Sequence, residues 1–151
     1  MKRPVLSSVI IVGDAHVGIL ARCLKSILEA PGGPACDEIV LQWNGKDDAG
    51  FRAALDEAFD TGLPQFPMTW QDVTRFPVGS VAVVVSRREW TGDFAAARNE
   101  AHSHATGEWH AYFDCDDILV HPDHPAFLDS LEVDPPRAAV ESYPVKGSLV
   151  D

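Results

Sequence analysis

The sequence predicts one α/β domain over residues 1–151, built on a mostly parallel sheet flanked by helices. Three observations support this fold class. The chain has 151 residues, which is the length of a single domain. Short β-branched runs alternate with segments of helical periodicity, and glycine, proline or asparagine ends most of these segments. Such alternation favours parallel strands joined by right-handed crossovers.

The first half contains two strand and helix pairs. The β-branched run Leu6–Val12 is typical of a buried strand, and His16–Leu28 has apolar residues at helical spacing. A second short strand is predicted at Glu38–Gln42, and a second helix at Asp48–Phe59. This order makes the parallel arrangement the simplest topology.

The middle and the end of the chain give weaker patterns. Met68–Val73 and Val81–Val85 are candidate strands, separated by a predicted break at Phe76–Gly79. The pattern leaves open whether these two strands pair as a hairpin. A short helix is predicted at Asp123–Leu131 and a last strand at Ala138–Ser142.

A third helix precedes the most informative part of the sequence. Either Asp93 or Thr91 is suited to cap a helix that runs from Phe94 to Ala105. Its periodicity places Phe94, Ala97 and Ala101 on the buried side.

Three carboxylates follow the next predicted strand, Trp109–Phe113. Asp114, Asp116 and Asp117 lie within four residues at the end of this strand. Like charges this close repel each other, so a bound cation would favour their clustering. Mg²⁺ and Mn²⁺ prefer such oxygen ligands, and ligands of open α/β sheets bind beyond the carboxyl ends of the strands. The pattern therefore indicates a metal-dependent phosphate or nucleotide site.

Composition limits the partners of such a site. The formal net charge of −11 argues against nucleic-acid binding and against docking to an anionic membrane. Three cysteines without a Cys-x-x-Cys pair indicate a reducing compartment. Because the sequence shows neither a signal peptide nor an apolar run of membrane-spanning length, we expect a cytoplasmic protein without a transmembrane segment.

Simpler interpretations apply to several of these residues. The acidic cluster alone is compatible with a solvated loop, and Arg98 alone with a surface residue paired to Asp93 or Glu108. A histidine zinc site is disfavoured, because His102 and His104 are two positions apart and point to different helix faces.

A longer pattern connects the third helix to the acidic cluster. It comprises Trp90, Asp93, Phe94, Ala97, Arg98 and Asn99, then Ala105, Gly107, Glu108 and Trp109, then Asp114, Asp116 and Asp117. In this order and context the residues resemble the donor half of a family 2 glycosyltransferase. The resemblance covers roughly residues 6–142 and implies a GT-A fold, a Rossmann-like sheet that binds a nucleotide-sugar with Mn²⁺ or Mg²⁺.

The resemblance also implies roles for individual residues. Asp116 would coordinate the metal ion that bridges the diphosphate, Asp114 would face the ribose or sugar, and Asp117 would assist. Arg98 would lie near the diphosphate or the base. The remaining nucleotide-sugar contacts would come from the ends of the first two strands and from the acidic turn, namely Val12, Gly13, Asp14, Trp43, Asn44, Gly45 and Cys115. The expected donor is a nucleotide-diphosphate sugar, with a UDP-sugar favoured, and the acceptor is not identified. Cys115 itself is expected to be a small residue that faces the sheet.

The chain departs from the family pattern in two ways. Trp43 occupies the position where the family carries a nucleoside-binding aspartate, so its ring would either stack on a base or cap the core. Only 34 residues follow Asp117, so the resemblance implies a fold truncated after its donor half, with no assignable catalytic base. On this interpretation the chain is a fragment, a shortened relative, or one half of an assembly in which a partner chain or a homo-oligomer supplies the missing half.

Three other functions share part of this sequence pattern. The main alternative is a non-catalytic nucleotide-binding module that retains only the donor half. A phosphatase of the haloacid-dehalogenase type is disfavoured, because Tyr112–Leu119 leaves little sequence for the other residues of that active site. A nucleotidyltransferase is weaker as well, since Gly13–Gly18 is a poor glycine-rich phosphate loop.

Overall fold

The computed structural model describes residues 6–30, 32–59 and 73–119. In chain order the strands and helices are β1 (Leu6–Val12), α1 (Val17–Leu28), β2 (Glu38–Trp43), α2 (Asp48–Phe59), β3 (Val73–Val78), β4 (Val81–Arg87), α3 (Phe94–Ser103) and β5 (Trp109–Phe113). A single 3₁₀ turn, Asp14–His16, leads into α1. The predicted strands and helices of the first half are confirmed to within one residue at each end.

The five strands form one sheet in the order β3-β4-β2-β1-β5. Strand β1 pairs in parallel with β2 and with β5, and β2 pairs in parallel with β4. The predicted Rossmann-like, mostly parallel α/β sheet is therefore confirmed. Because four strands run in the same direction, their carboxyl ends meet at one edge of the sheet, and the loops that follow them share that edge.

The structure answers the question about the middle strands. Strand β3 pairs antiparallel with β4, so the two form a hairpin, and its turn contains Gly79 at φ 59°. The predicted break at Phe76–Gly79 was wrong over most of its length, because Phe76 and Pro77 belong to β3. The missing N–H of Pro77 is tolerated because β3 lies at the edge of the sheet. Of the candidate strand Met68–Val73, only its last residue lies among the described residues.

The sheet carries a hydrophobic core on each face. Helices α1 and α2 pack on one face, where Leu20, Ile27, Phe51 and Leu55 are fully buried against β1, β2 and β4. Helix α3 covers the other face, and only Ala101 of this helix is buried. Every residue of strand β1 is buried, so this strand lies between the helices of the two faces.

Two expectations for α3 are corrected. Phe94 was predicted on the buried side, but 46% of its surface is exposed, because the first turn of α3 lies at the rim of a cleft. The helix ends at Ser103 and not at Ala105. Its predicted cap is confirmed, since the Asp93 carboxylate accepts a hydrogen bond from the Ala96 N–H at 3.1 Å.

Two further predicted elements belong to another part of the sequence. The helix predicted at Asp123–Leu131 and the strand at Ala138–Ser142 lie outside the described residues. Within the described part of the chain, no helix combines the length and the apolar character that crossing a membrane requires.

The buried carboxylate of Glu38 links several elements at the amino-terminal side of the sheet. Glu38 is 3% exposed and accepts hydrogen bonds from the Ser7 hydroxyl at 2.7 Å and from the backbone and hydroxyl of Thr106 at 2.8 and 3.0 Å. The Arg75 guanidinium lies 3.5 Å away. One side chain therefore links β1, β2, β3 and the loop after α3.

We expect Glu38→Gln to lower the free energy of unfolding by roughly 1.5–3 kcal/mol, because it replaces a charged acceptor by an amide that has donors to satisfy. Urea denaturation of the variant measures this loss. Glu108→Gln is the matched control, since Glu108 is exposed at the start of β5. Equal stability of the Glu38 variant and the wild type would contradict the structural role.

Candidate functional site

The acidic cluster forms a compact turn at the carboxyl end of β5. The Asp117 N–H donates to the Asp114 carbonyl at 2.9 Å, and the Asp114 N–H donates to the Asp117 carboxylate at 2.8 Å. This closed turn places one carboxylate oxygen each of Asp114, Asp116 and Asp117 within 4.8 Å of one another. Burial raises the pKa of Asp117, and the neighbouring charges of Asp114 and Asp116 raise it further. The structure therefore brings together all three predicted metal ligands.

The donor set fits a hard divalent cation. It consists of carboxylate oxygens alone, which suits Mg²⁺ or Mn²⁺ better than a softer metal. A bound cation would also relieve the repulsion that raises the pKa of Asp117. Among the residues that the structure describes, this is the only group of three or more histidine, cysteine or acidic side chains close enough to share an ion.

Cys115, in the middle of the acidic turn, has a buried side chain. Cys115 is 3% exposed, and its thiol donates to the carbonyl of Ile11 in β1 at 3.3 Å. Burial raises the pKa of this thiol well above its usual range. The expectation of a small residue facing the sheet is confirmed, and any contact between Cys115 and a donor would come from its backbone.

A cleft of about 700 Å³ opens beyond the carboxyl ends of β1, β2 and β4. It is lined by Ile11, Val12, Gly13, Asp14, Ala15, His16, Asn44, Gly45, Lys46, Arg87, Glu89, Trp90 and Phe94. Five of the predicted nucleotide-binding residues are in this set. The acidic turn follows β5, the strand next to β1, and is not part of the lining.

The Asp14 carboxylate links the segment after β1 to the turn after β2, and both segments line the cleft. One oxygen of Asp14 accepts hydrogen bonds from the backbone N–H groups of Lys46 and Asp47 at 2.8 and 2.9 Å. These bonds lower the pKa of Asp14. A Cβ atom on Gly45 would collide with the Asp14 carboxylate and would lie 2.8 Å from a ring carbon of Trp43. Only glycine therefore fits between the end of β1 and the turn after β2.

Comparison with known protein families decides the identity. The family model described as glycosyl transferase family 2 matches residues 8–148, which is most of the chain. The chain belongs to glycosyltransferase family 2. No curated protein matches it. Membership supports glycosyltransferase activity in general, and the sheet described above is consistent with the GT-A fold of the family.

In this family 2 domain, Trp43 is a core residue. The ring is fully buried and stacks on Phe51, with centroids 4.4 Å apart and planes 6° apart. Its indole N–H donates to Asp48 at 2.7 Å, and Arg87 lies 3.3 Å from the same carboxylate oxygen. Stacking of Trp43 on a nucleobase is therefore excluded by its burial, and the expected alternative of a core cap is correct. The tryptophan fills space where the family pattern has a carboxylate.

The guanidinium of Arg98 packs against aromatic rings of α3 and β5. It lies over the ring of Tyr112, 4.2 Å from the centroid, and 5.2 Å from the Phe94 centroid. Within the described ranges it makes no ion pair with Asp93 or Glu108, contrary to the simpler interpretation. Burial raises the pKa of Tyr112 to about 12, the contact with Arg98 opposes this rise, and interaction with Asp114 adds to it.

Several cleft residues were not predicted from the sequence. Arg87, Glu89 and Trp90 end or follow β4, and Lys46 follows β2. The rule that ligands bind beyond the carboxyl ends of parallel strands could have found them, once Val81–Val85 was known to lie beside β2.

We expect the stabilisation by Mn²⁺ to decrease as the pH falls through the raised pKa of Asp117. Ligation needs the ionised carboxylate, so protons compete with the metal. Without metal the pH dependence has the opposite sign. Because the pKa of Asp117 is higher in the folded state than in the unfolded chain, protonated Asp117 favours the folded state, and this stabilisation is lost as the pH rises through the folded-state pKa. Differential scanning fluorimetry with and without Mn²⁺, from about pH 4 to about pH 7, measures both effects. A Mn²⁺-induced shift in Tm that is the same at all pH values would contradict metal binding at Asp117.

Proposed function

We propose that this domain binds a nucleotide-diphosphate sugar, with a UDP-sugar favoured, and transfers the sugar to an acceptor with the help of Mn²⁺ or Mg²⁺. One observation carries the proposal: three convergent carboxylates lie at the same sheet edge as a 700 Å³ cleft. A cleft of this volume is in the usual range for small-molecule sites. The family match supports sugar transfer as the reaction.

The proposed roles follow from the position of each group. Val12, Gly13, Asp14, Asn44 and Gly45 would contact the nucleoside, since all of them line the cleft. The diphosphate would then lie between the cleft and the acidic turn, where Asp114, Asp116 and Asp117 would hold a divalent ion. A bound divalent ion neutralises charge on the departing diphosphate.

Arg98 would add positive charge on the side of α3. Its guanidinium is held over two aromatic rings and not in an ion pair within the described residues, so it remains available to an anionic ligand. The family's usual outcome is inversion at the anomeric carbon by direct displacement. We assign no catalytic base and no acceptor residue.

Turnover tests the proposal against its main alternative. The chain would be incubated with UDP-sugars and Mn²⁺, and release of UDP would be followed by a coupled assay, with EDTA and Asp116→Asn as controls. Metal-dependent release of UDP is the expected result. Metal-dependent binding of UDP without turnover of any nucleotide-sugar would favour a non-catalytic binding module.

A further inference from the structure

The start of the acidic turn is held by side chains beneath it. Cys23 of α1 is fully buried, and its thiol donates to the Asp114 carbonyl at 3.6 Å. The thiol of Cys115 donates to the Ile11 carbonyl in β1 at 3.3 Å. Both contacts involve the first two residues of the turn, and neither involves Asp117.

The chain that leaves the turn is held by the same helix. The Leu119 N–H donates to the hydroxyl of Ser26 at 2.9 Å. Ser26 lies three residues after Cys23 in α1, so the two side chains lie on neighbouring turns of one helix face. The side chain of Leu119 packs against the core cluster that α1 and α2 cover. Helix α1 therefore contacts the chain on both sides of the acidic turn.

The hydrogen-bonding role of the Ser26 hydroxyl is determined by its two backbone partners. The hydroxyl lies 2.6 Å from the Cys23 carbonyl oxygen, which can only accept, so its single proton is donated there. The Leu119 N–H can only donate, so the hydroxyl oxygen accepts from it. Because the first bond is made within α1, the helix backbone fixes the position of the oxygen that holds Leu119.

We propose that Ser26 is a positioning residue for the divalent ion, because it fixes the chain two residues after Asp117. The Asp117 carboxylate accepts a hydrogen bond from the Asp114 N–H at 2.8 Å, so its place beside the other two carboxylates depends on both ends of the turn. A metal site binds most tightly when the groups behind its ligands hold them in the ligating geometry. The inference rests on the proposed function, because it assumes that the acidic turn binds Mn²⁺ or Mg²⁺.

Titration of Mn²⁺ into the wild type and into Ser26→Ala tests the proposal, with free Mn²⁺ followed by electron paramagnetic resonance. We expect the variant to bind Mn²⁺ about tenfold more weakly, the lower end of the range for partners of metal ligands. Ser26→Thr should restore the affinity, because a helical threonine can direct its hydroxyl to the same carbonyl. Equal affinities of Ser26→Ala and the wild type would overturn this inference and leave the proposed function standing. No binding of Mn²⁺ by the wild type would remove the metal from the proposed function, and this inference with it.

Ser103→Ala is the matched control. The Ser103 hydroxyl donates to the Glu100 carbonyl at 2.6 Å, the same contact within a helix that Ser26 makes, but on α3. Its loss should leave the affinity for Mn²⁺ unchanged.

Hydrogen exchange of the Leu119 amide in the metal-free protein provides a second measurement. Exchange should be faster in Ser26→Ala, which lacks the acceptor, and unchanged in Ser26→Thr and Ser103→Ala. Alanine favours the helix more than serine does, so α1 should remain folded in Ser26→Ala. An unchanged exchange rate of the Leu119 amide in Ser26→Ala would contradict the positioning role.

Discussion

Sugar transfer by the Asp116→Asn variant is expected to be at least about 100-fold slower than transfer by the wild type. The substitution preserves the shape of the side chain but removes a charged oxygen from the group of three carboxylates. Changes to residues that merely orient metal ligands cost roughly 10–100-fold, so loss of a ligand should cost at least as much. The affinity for Mn²⁺ and the metal-dependent part of the affinity for UDP should fall together.

The matched control for this prediction is Glu108→Gln. It removes one negative charge from an exposed position next to the start of β5, at the opposite end of the strand from the acidic turn. Its transfer rate should equal that of the wild type. An active Asp116→Asn variant with normal metal dependence would show that the metal is held elsewhere.

Trp43→Ala is expected to lower the free energy of unfolding by roughly 3–5 kcal/mol, the range for large aromatic residues in a core. The truncation leaves a cavity against Phe51 and removes the indole donor from Asp48. A loss of this size is a large fraction of the total stability of a typical domain. Trp43→Phe keeps the stacked ring and should cost only about 1–3 kcal/mol, from the unmade hydrogen bond to a charged group.

Urea denaturation and UDP titration of the two variants distinguish a core role from a ligand role. We expect both variants to be less stable, and we expect Trp43→Phe to bind UDP with the affinity of the wild type. A Trp43→Ala protein that is as stable as the wild type but binds UDP poorly would contradict the burial of this ring.

Local patterns predicted most of the fold. Strand β1 and helix α1 were identified because their apolar residues follow the periods of a buried strand and a one-sided helix. Strand β3 was missed over Phe76–Val78 because proline and glycine usually mark a break. Whether a proline is tolerated depends on the position of its strand in the sheet. The edge position of β3 follows from the pairing of β4 with β2, which lies far away along the chain.

The candidate site was predictable where its residues are close in sequence. Asp114, Asp116 and Asp117 converge because one short turn carries all of them. The cleft instead combines residues from the ends of three strands, and the contribution of Trp90 depends on the pairing of β4 with β2. The burial of Trp43 was not predictable either, because it depends on the packing of α2 through Phe51.

The most direct test of the central claim is a calorimetric titration of UDP into the 151-residue chain with and without Mn²⁺, repeated with Asp116→Asn. The account predicts binding that requires the metal and is lost in the variant, because the carboxylates and the nucleotide would share one ion. UDP binding that is equal with and without Mn²⁺, or equal in the variant and the wild type, would contradict a metal-dependent donor site at the acidic turn.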